Sequence, residues 1–150
     1  MKKELLNSDK ELLLKDLCAR LPYGVKVQTT YIMQSGERKD IGIDILTTVE
    51  ISMLIEGAEE HKPYLFPLSS MTKEQWKELR NLIYEDFTLD EEFNEGLCYK
   101  TYGDILVWLD EKPINECYFI FDYFNKNHFD YRGLIEKSLA LDATNLGIYE

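Results

Sequence analysis

The stretch PINECYFIFDYFNKNHFDYRGLIEKSLALD, residues 113–142, decides the reading of the fold, because it holds the densest apolar and aromatic content in the chain. Seven aromatic residues lie between Tyr118 and Tyr131, and burying half of them would contribute on the order of 10 kcal/mol at about 25 cal/mol per Å². Ile114, Cys117, Phe121 and Phe124 recur at intervals of three and four, with Tyr118 and Ile120 widening the face, so the spacing predicts a helix. Pro113 suits its first turn, where the missing amide donor costs nothing, and Asp110 or Glu111 supplies favourable charge there. The helix is expected to stop near Asn127. Asp130 then accepts amide bonds at the start of a second helix running to about Leu141, with Leu134, Ile135, Leu139 and Leu141 on its apolar side.

Outward from this stretch, Thr72 and Gln75 match a capping box, and Met71 with Trp76 fits the hydrophobic staple that sets a helix's entry angle. A middle helix to about Asp86 follows, with Trp76, Leu79, Ile83 and Phe87 inward. Before it, KPYLFPLSSMT (62–72) carries two prolines and reads as an extended connector that holds Tyr64, Leu65, Phe66 and Leu68 against the body. At the other end of the chain, Ser8 with Glu11 suggests a capping box for a helix over about 9–21, in which Leu13, Leu14, Leu17, Cys18 and Leu21 share one side. Pro22 and Gly24 end it.

Val25, Val27, Thr29 and Tyr31 then alternate with Lys26, Gln28 and Thr30, Gln34–Asp40 reads as a turn, and Ile41, Ile43 and Ile45 alternate again. Thr47–Ile55 continues the β-branched pattern, so two or three antiparallel strands are expected, with a polar loop over Glu56–Lys62. The apolar run Ile105–Leu109 reads as a short buried strand, the alternative being that it leads into the helix after Pro113. With no repeat, low-complexity tract or linker, the expectation is one α+β domain over residues 1–150: a small antiparallel β-meander packed against an N-terminal helix, a middle helix and a C-terminal helix pair.

Seventeen basic against 28 acidic residues give a formal charge of -11, which disfavours direct nucleic-acid binding and anionic membrane surfaces. Cys18, Cys98 and Cys117 are odd in number and widely spaced, as free thiols are in a reducing cytoplasm. Acids interrupt every apolar run of the N-terminus, so it reads as neither signal peptide nor membrane span. The expected location is therefore the cytoplasm of a bacterial host cell.

Candidate chemistry is sparse. His61 and His128 have no second ligand at zinc spacing, no CxxC pair occurs, and neither GxGxxG nor GxxxxGK[ST] is present, so no metal and no cofactor is expected. Ser69 and Ser70 lack the elbow of a nucleophilic serine and read as turn formers. In HFDYRG, His128, Asp130 and Arg132 alternate between the predicted helices, where a base, a carboxylate and a guanidinium can converge on an anionic ligand with Tyr131 and Tyr64 nearby. The plainer reading is that Asp130 caps, Arg132 pairs with an acid such as Glu136, and His128 closes the preceding helix. Glu85, Asp86, Asp90, Glu91, Glu92 and Glu95 form an acidic run without a base, which reads as solvated surface or as a mimic of a nucleic-acid backbone toward a basic protein.

Three blocks, LLLKDLCARLPYGVK (12–26), KPYLFPLSSMTKEQ (62–75) and HFDYRGLIEKSLALDA (128–143), resemble a family of short uncharacterised proteins of gut Bacteroidetes and their phages. The resemblance implies a phage or mobile-element setting and brings no catalytic residues with it. The leading functional expectation is a non-enzymatic binding or accessory protein acting through a protein partner or self-association. Two alternatives stand beside it: a small enzyme handling an anionic small molecule or nucleotide at the 128–132 turn, and an acidic nucleic-acid-mimicking inhibitor of a host protein.

Overall fold

The computed structural model describes residues 6–32, 39–55, 61–83 and 114–150. They fall into two compact units, one within residues 1–68 and 128–150 and the other within 69–127. The class is α+β: among the described residues, four α-helices accompany a two-stranded antiparallel sheet and a separate three-stranded parallel sheet.

In the first unit, α1 (Asn7–Arg20) starts after Leu6 with no side-chain cap, so the Ser8–Glu11 box is not formed. Leu13 and Leu17 are fully buried, as the spacing predicts, but so are Asp16 and Arg20 on the same face. A single 3-10 turn, Leu21–Tyr23, contains Pro22, and Gly24 at φ 66° takes the left-handed exit into β1 (Lys26–Ile32). Antiparallel pairing of β1 with β2 (Lys39–Ile45) sets Lys26 opposite Ile45, Val27 opposite Asp44, Gln28 opposite Ile43 and Thr29 opposite Gly42.

Two expectations fail in this unit for identifiable reasons. Residues 48–55 do not extend the meander but form α2 (Thr48–Ile55). The Glu50 carboxylate accepts the Thr47 amide at 2.8 Å and the Thr47 hydroxyl, and that hydroxyl accepts the Val49 amide at 3.2 Å. This capping pattern, with Ile51 and Leu54 buried at helical spacing, overrides the β-preference of the branched residues. The second C-terminal helix is likewise absent: residues 131–140 are turns between β4 (Phe129–Asp130) and β5 (Leu141–Asp142). His128, Gly133 and Ser138 all have φ near +60 to +70°, and each such residue interrupts a right-handed run. The apolar spacing serves the core instead, since Leu134, Leu139 and Ala140 are buried in one cluster with Leu13, Leu17, Val27 and Leu65.

The connector after Lys62 is extended as expected, and it holds more than its own length: β3 (Tyr64–Pro67) is the central strand between β4 and β5, parallel to both. A 3-10 turn, Leu68–Ser70, follows it.

In the second unit, the Thr72–Gln75 capping box is present in both directions, with the Thr72 amide bonded to Gln75 Oε1 at 2.9 Å and the Gln75 amide to Thr72 Oγ1 at 3.2 Å. It opens α3 (Lys73–Ile83), which buries Trp76 and Leu79, and Met71 before it is buried too. Helix α4 (Ile114–Lys126) buries Ile120, Tyr123 and Phe124, but Tyr118 stands 66% exposed rather than widening the apolar face. Tyr123 joins the helices by donating its hydroxyl to Glu78 at 2.9 Å. The aromatic stretch is thus divided: its helical part builds the second unit, whereas the core cluster of the first is aliphatic and Phe129 is buried in β4 of that unit.

The acidic run Glu85–Glu95, Phe87, Cys98, the apolar run Ile105–Leu109, Pro113 and most of the two expected loops, at 33–38 and 56–60, lie outside the described residues. No helix among the described residues is long and apolar enough to cross a membrane. Cys18 is exposed rather than packed on the apolar side of α1.

Candidate functional site

All five residues of the predicted anionic-ligand site belong to the first unit, but each has its own intramolecular task. His128 sits at φ 63°, where the chain leaves α4, and its carbonyl accepts the Phe66 amide at 2.8 Å. Its imidazole stacks on Tyr149, with ring centroids 3.9 Å apart and planes 13° from parallel. Burial, aided by the charges of Arg20 and Lys26, pushes this imidazole down to about 4, so it is neutral near pH 7. The Tyr149 hydroxyl accepts the Lys26 amide and donates to the Tyr64 carbonyl, both at 2.8 Å, and burial pushes it up to about 12. Tyr64 therefore takes part through its backbone.

Asp130 accepts the Leu134 and Ile135 amides on separate oxygens, each at 2.9 Å. It is a cap, as in the plainer reading, although what it caps is a turn and not a helix. Arg132 bonds the Tyr131 hydroxyl at 2.9 Å and places Nε 3.4 Å from Asp16, not beside Glu136. Asp16 is also held by Arg20 at 2.8 Å, and Arg20 reaches the Phe129 carbonyl at 2.6 Å. Burial raises the Asp16 carboxyl above the ordinary range even against the pull of the two arginines. The carboxylate and the guanidinium of the predicted site thus act within the body of the protein. Among the described residues, no group of three or more His, Cys, Asp or Glu side chains gathers as a metal site would require.

A different surface stands open. Residues directly opposite in an antiparallel pair point to the same face, so the register puts Ile43 and Ile45 with Gln28 and Lys26, on the face away from buried Val27 and Thr29. They are 49% and 57% exposed. The hydrogen-bond phase adds a second feature. The Leu46 amide donates to the Val25 carbonyl at 2.8 Å, and bonded pairs alternate with unbonded ones along the ladder. Gly42 and Asp44 therefore turn their backbone toward β1, and Ile43 and Ile45 turn theirs away. The opposite strand keeps the same phase: the amides of Lys26 and Gln28 leave the ladder for the Tyr149 hydroxyl and the Lys62 carbonyl. Each of the two isoleucines thus presents an N–H and a C=O along an edge that has no strand partner among the described residues.

Beside this edge lies an open groove of about 750 Å³, lined by Ile43, Ile45, Leu146 and Ile148 with Lys26, Asp44, Thr47 and Glu50 around them. The Lys26 ammonium is held by the Ile148 carbonyl. Burial alone would raise the Glu50 carboxyl, but the Thr47 hydrogen bonds outweigh it and hold it below its ordinary value, so the rim stays charged.

Neither this edge nor the buried pair is among the residues singled out from sequence. The pair had a signal: Leu13, Asp16, Leu17 and Arg20 are spaced three, one and three apart, which is one helix face. The orientation of the isoleucines had none, because alternation does not say which side of a strand faces inward. Comparison of the chain with protein-family models, curated proteins and solved structures gave no match.

Proposed function

We propose that the protein is a non-enzymatic accessory protein of phage or mobile-element origin that acts through protein contacts, docking at the open edge of β2. The observation that carries this reading is the pair Ile43 and Ile45, half-exposed on a strand whose outward N–H and C=O groups have no strand partner among the described residues. Unpaired apolar edges are templates for another chain, and proteins that do not use them blunt them with charge, proline or a covering element. The side chains of the 128–132 turn support the same choice over an enzyme, since Asp130 is committed to two amides and Arg132 to Tyr131 and Asp16. The resemblance of the three sequence blocks supports the origin.

The test replaces both edge isoleucines, Ile43→Lys with Ile45→Lys, at positions whose exposure leaves the aliphatic core untouched. The native chain is expected to be recovered from its own host in a complex, and the double variant, with an unchanged thermal midpoint, free of it. Recovery of the native chain as an unpartnered monomer would sink the proposal.

A further inference from the structure

We infer that the occupant of this edge is β2 of a second copy of the chain, paired antiparallel about a two-fold axis at Ile43. This rests on the reading of β2 as the docking surface and names what docks there.

The argument is one of register. Two copies of β2 can be centred on any of the residues 41 to 44 near the middle of the strand. Centred on Asp44, that aspartate faces its own copy, and centred on Gly42, residue 40 faces residue 44, again acid against acid. Centred on Ile43, each Asp44 faces the Gly42 of the other copy, Ile43 faces Ile43 and Ile41 faces Ile45. Like charges directly opposite each other are destabilising, which disfavours the registers centred on Asp44 and Gly42. Centred on Ile41 the strands avoid that penalty but set Lys39 against Ile43 and leave Ile45 outside the pairing, so only the Ile43 register sets each Asp44 beside a glycine and isoleucine against isoleucine throughout. In the same register the outward-turned groups of Ile43 meet those of its copy, which satisfies donors and acceptors on both strands at once. IGIDI (41–45) is apolar at every second position from either end, so the strand is complementary to its own reverse.

Strand pairing alone falls short of the ~1,000 Å² that a stable interface needs. Further apolar surface lies close by: Leu146, 55% exposed, lines the groove, and Glu50 in the same lining brings the first turn of α2, with Val49 61% exposed, to its rim. Each copy carries a formal charge of -11, so two copies repel through solvent and salt screens that repulsion. A dimer held by β2 must therefore tighten as salt rises, whereas a complex with a basic partner loosens.

Sedimentation equilibrium of the purified full chain, at low and high salt, tests this with three variants. Ile43→Pro removes an edge donor that β1 does not use, which an edge strand tolerates. Gly42→Asp sets an acid against Asp44 at both ends of the pairing, and Gly42→Asp with Asp44→Gly restores one acid against one glycine. The expected results are a native dimer that tightens with salt, a monomeric Ile43→Pro variant, dimerisation about two- to thirtyfold weaker in Gly42→Asp, and recovery in the double variant. A native chain that stays monomeric at all concentrations overturns the inference whatever the variants do. So does a dimer indifferent to Gly42→Asp. A monomer that still loses a foreign partner when Ile43 and Ile45 are replaced overturns the second copy and leaves the docking edge standing; a chain without either kind of partner removes both.

Discussion

Asp16 and Arg20, one helical turn apart on α1, form an ion pair 2.8 Å long in which neither side chain is exposed to water. The guanidinium also reaches the Phe129 carbonyl, 109 residues away in sequence, and lies 5.4 Å from the Tyr131 ring centre. It thereby ties the end of α1 to the strand that follows α4. Removing one partner of such a pair leaves a buried charge uncompensated, at a cost of about 3–5 kcal/mol. Asp16→Asn and Arg20→Met are each expected to destabilise by about that much in urea unfolding. Asp16→Leu with Arg20→Met, which removes both charges together, should cost less than the sum of the single changes. Single variants within about 0.5 kcal/mol of the native chain, the range of an ordinary surface change, would show that the pair does not hold the helix.

A pH dependence follows from the His128–Tyr149 stack. The folded imidazole lies at about 4, below its ordinary 6.5, so as pH falls the unfolded chain takes up this proton first. The stability attached to the neutral ring is complete above about pH 6.5 and is lost as pH falls toward about 4. His128→Asn keeps a residue that tolerates the left-handed backbone and cannot titrate there. Urea midpoints measured from pH 7 to pH 4 should fall more steeply for the native chain than for the variant. Parallel curves would mean that the ring is not held neutral.

The sequence was most legible where capping and periodicity agree. Thr72 with Gln75 marks the start of α3 to the residue, and the apolar spacing of 113–127 places α4 within one residue of its observed ends. It was least legible where local preference is overruled by contacts distant in the chain. The second C-terminal helix had an apolar side, but Leu134 and Leu139 are taken up in the core cluster with Leu65 and Leu141 pairs with Tyr64 of β3, about seventy residues earlier, and left-handed residues such as Ser138 permit that path. The candidate turn was legible as a place and not as a chemistry: the partners of Arg132 and His128, namely Asp16 and Tyr149, come from the two ends of the chain. The facing of β2 depends on its register with β1, and a slip of one residue would have turned both isoleucines inward.

Tyr149 carries a second prediction, separable from its stacking. Its hydroxyl satisfies one donor, the Lys26 amide, and one acceptor, the Tyr64 carbonyl, in a partly buried site. Tyr149→Phe keeps the ring against His128 and Phe66 but leaves both backbone groups without this partner, at a cost of about 1–3 kcal/mol. The amide of Lys26, bonded to this hydroxyl in the native chain, should exchange faster in the variant, while amides of Asp44 and Gly42, bonded within the ladder, keep their protection. Unchanged exchange at Lys26 would exclude the bridge.

Asp130 offers the sharpest separation between a structural and a chemical role for the 128–132 turn. Its two oxygens each accept an amide of the same turn at 2.9 Å, whereas an asparagine has one accepting oxygen and would direct an NH₂ group at the second amide. Asp130→Asn is therefore expected to lower stability by about 1–3 kcal/mol, and the loss should be concentrated in the protection of the Leu134 and Ile135 amides. A carboxylate kept for ligand chemistry would behave in the opposite way, because removing its charge relieves a buried, partly desolvated group and leaves the turn intact. Hydrogen exchange at those two amides in the Asp130→Asn chain, compared with its urea midpoint, distinguishes the two. A stable variant with both amides still protected would overturn the assignment of Asp130 as a cap.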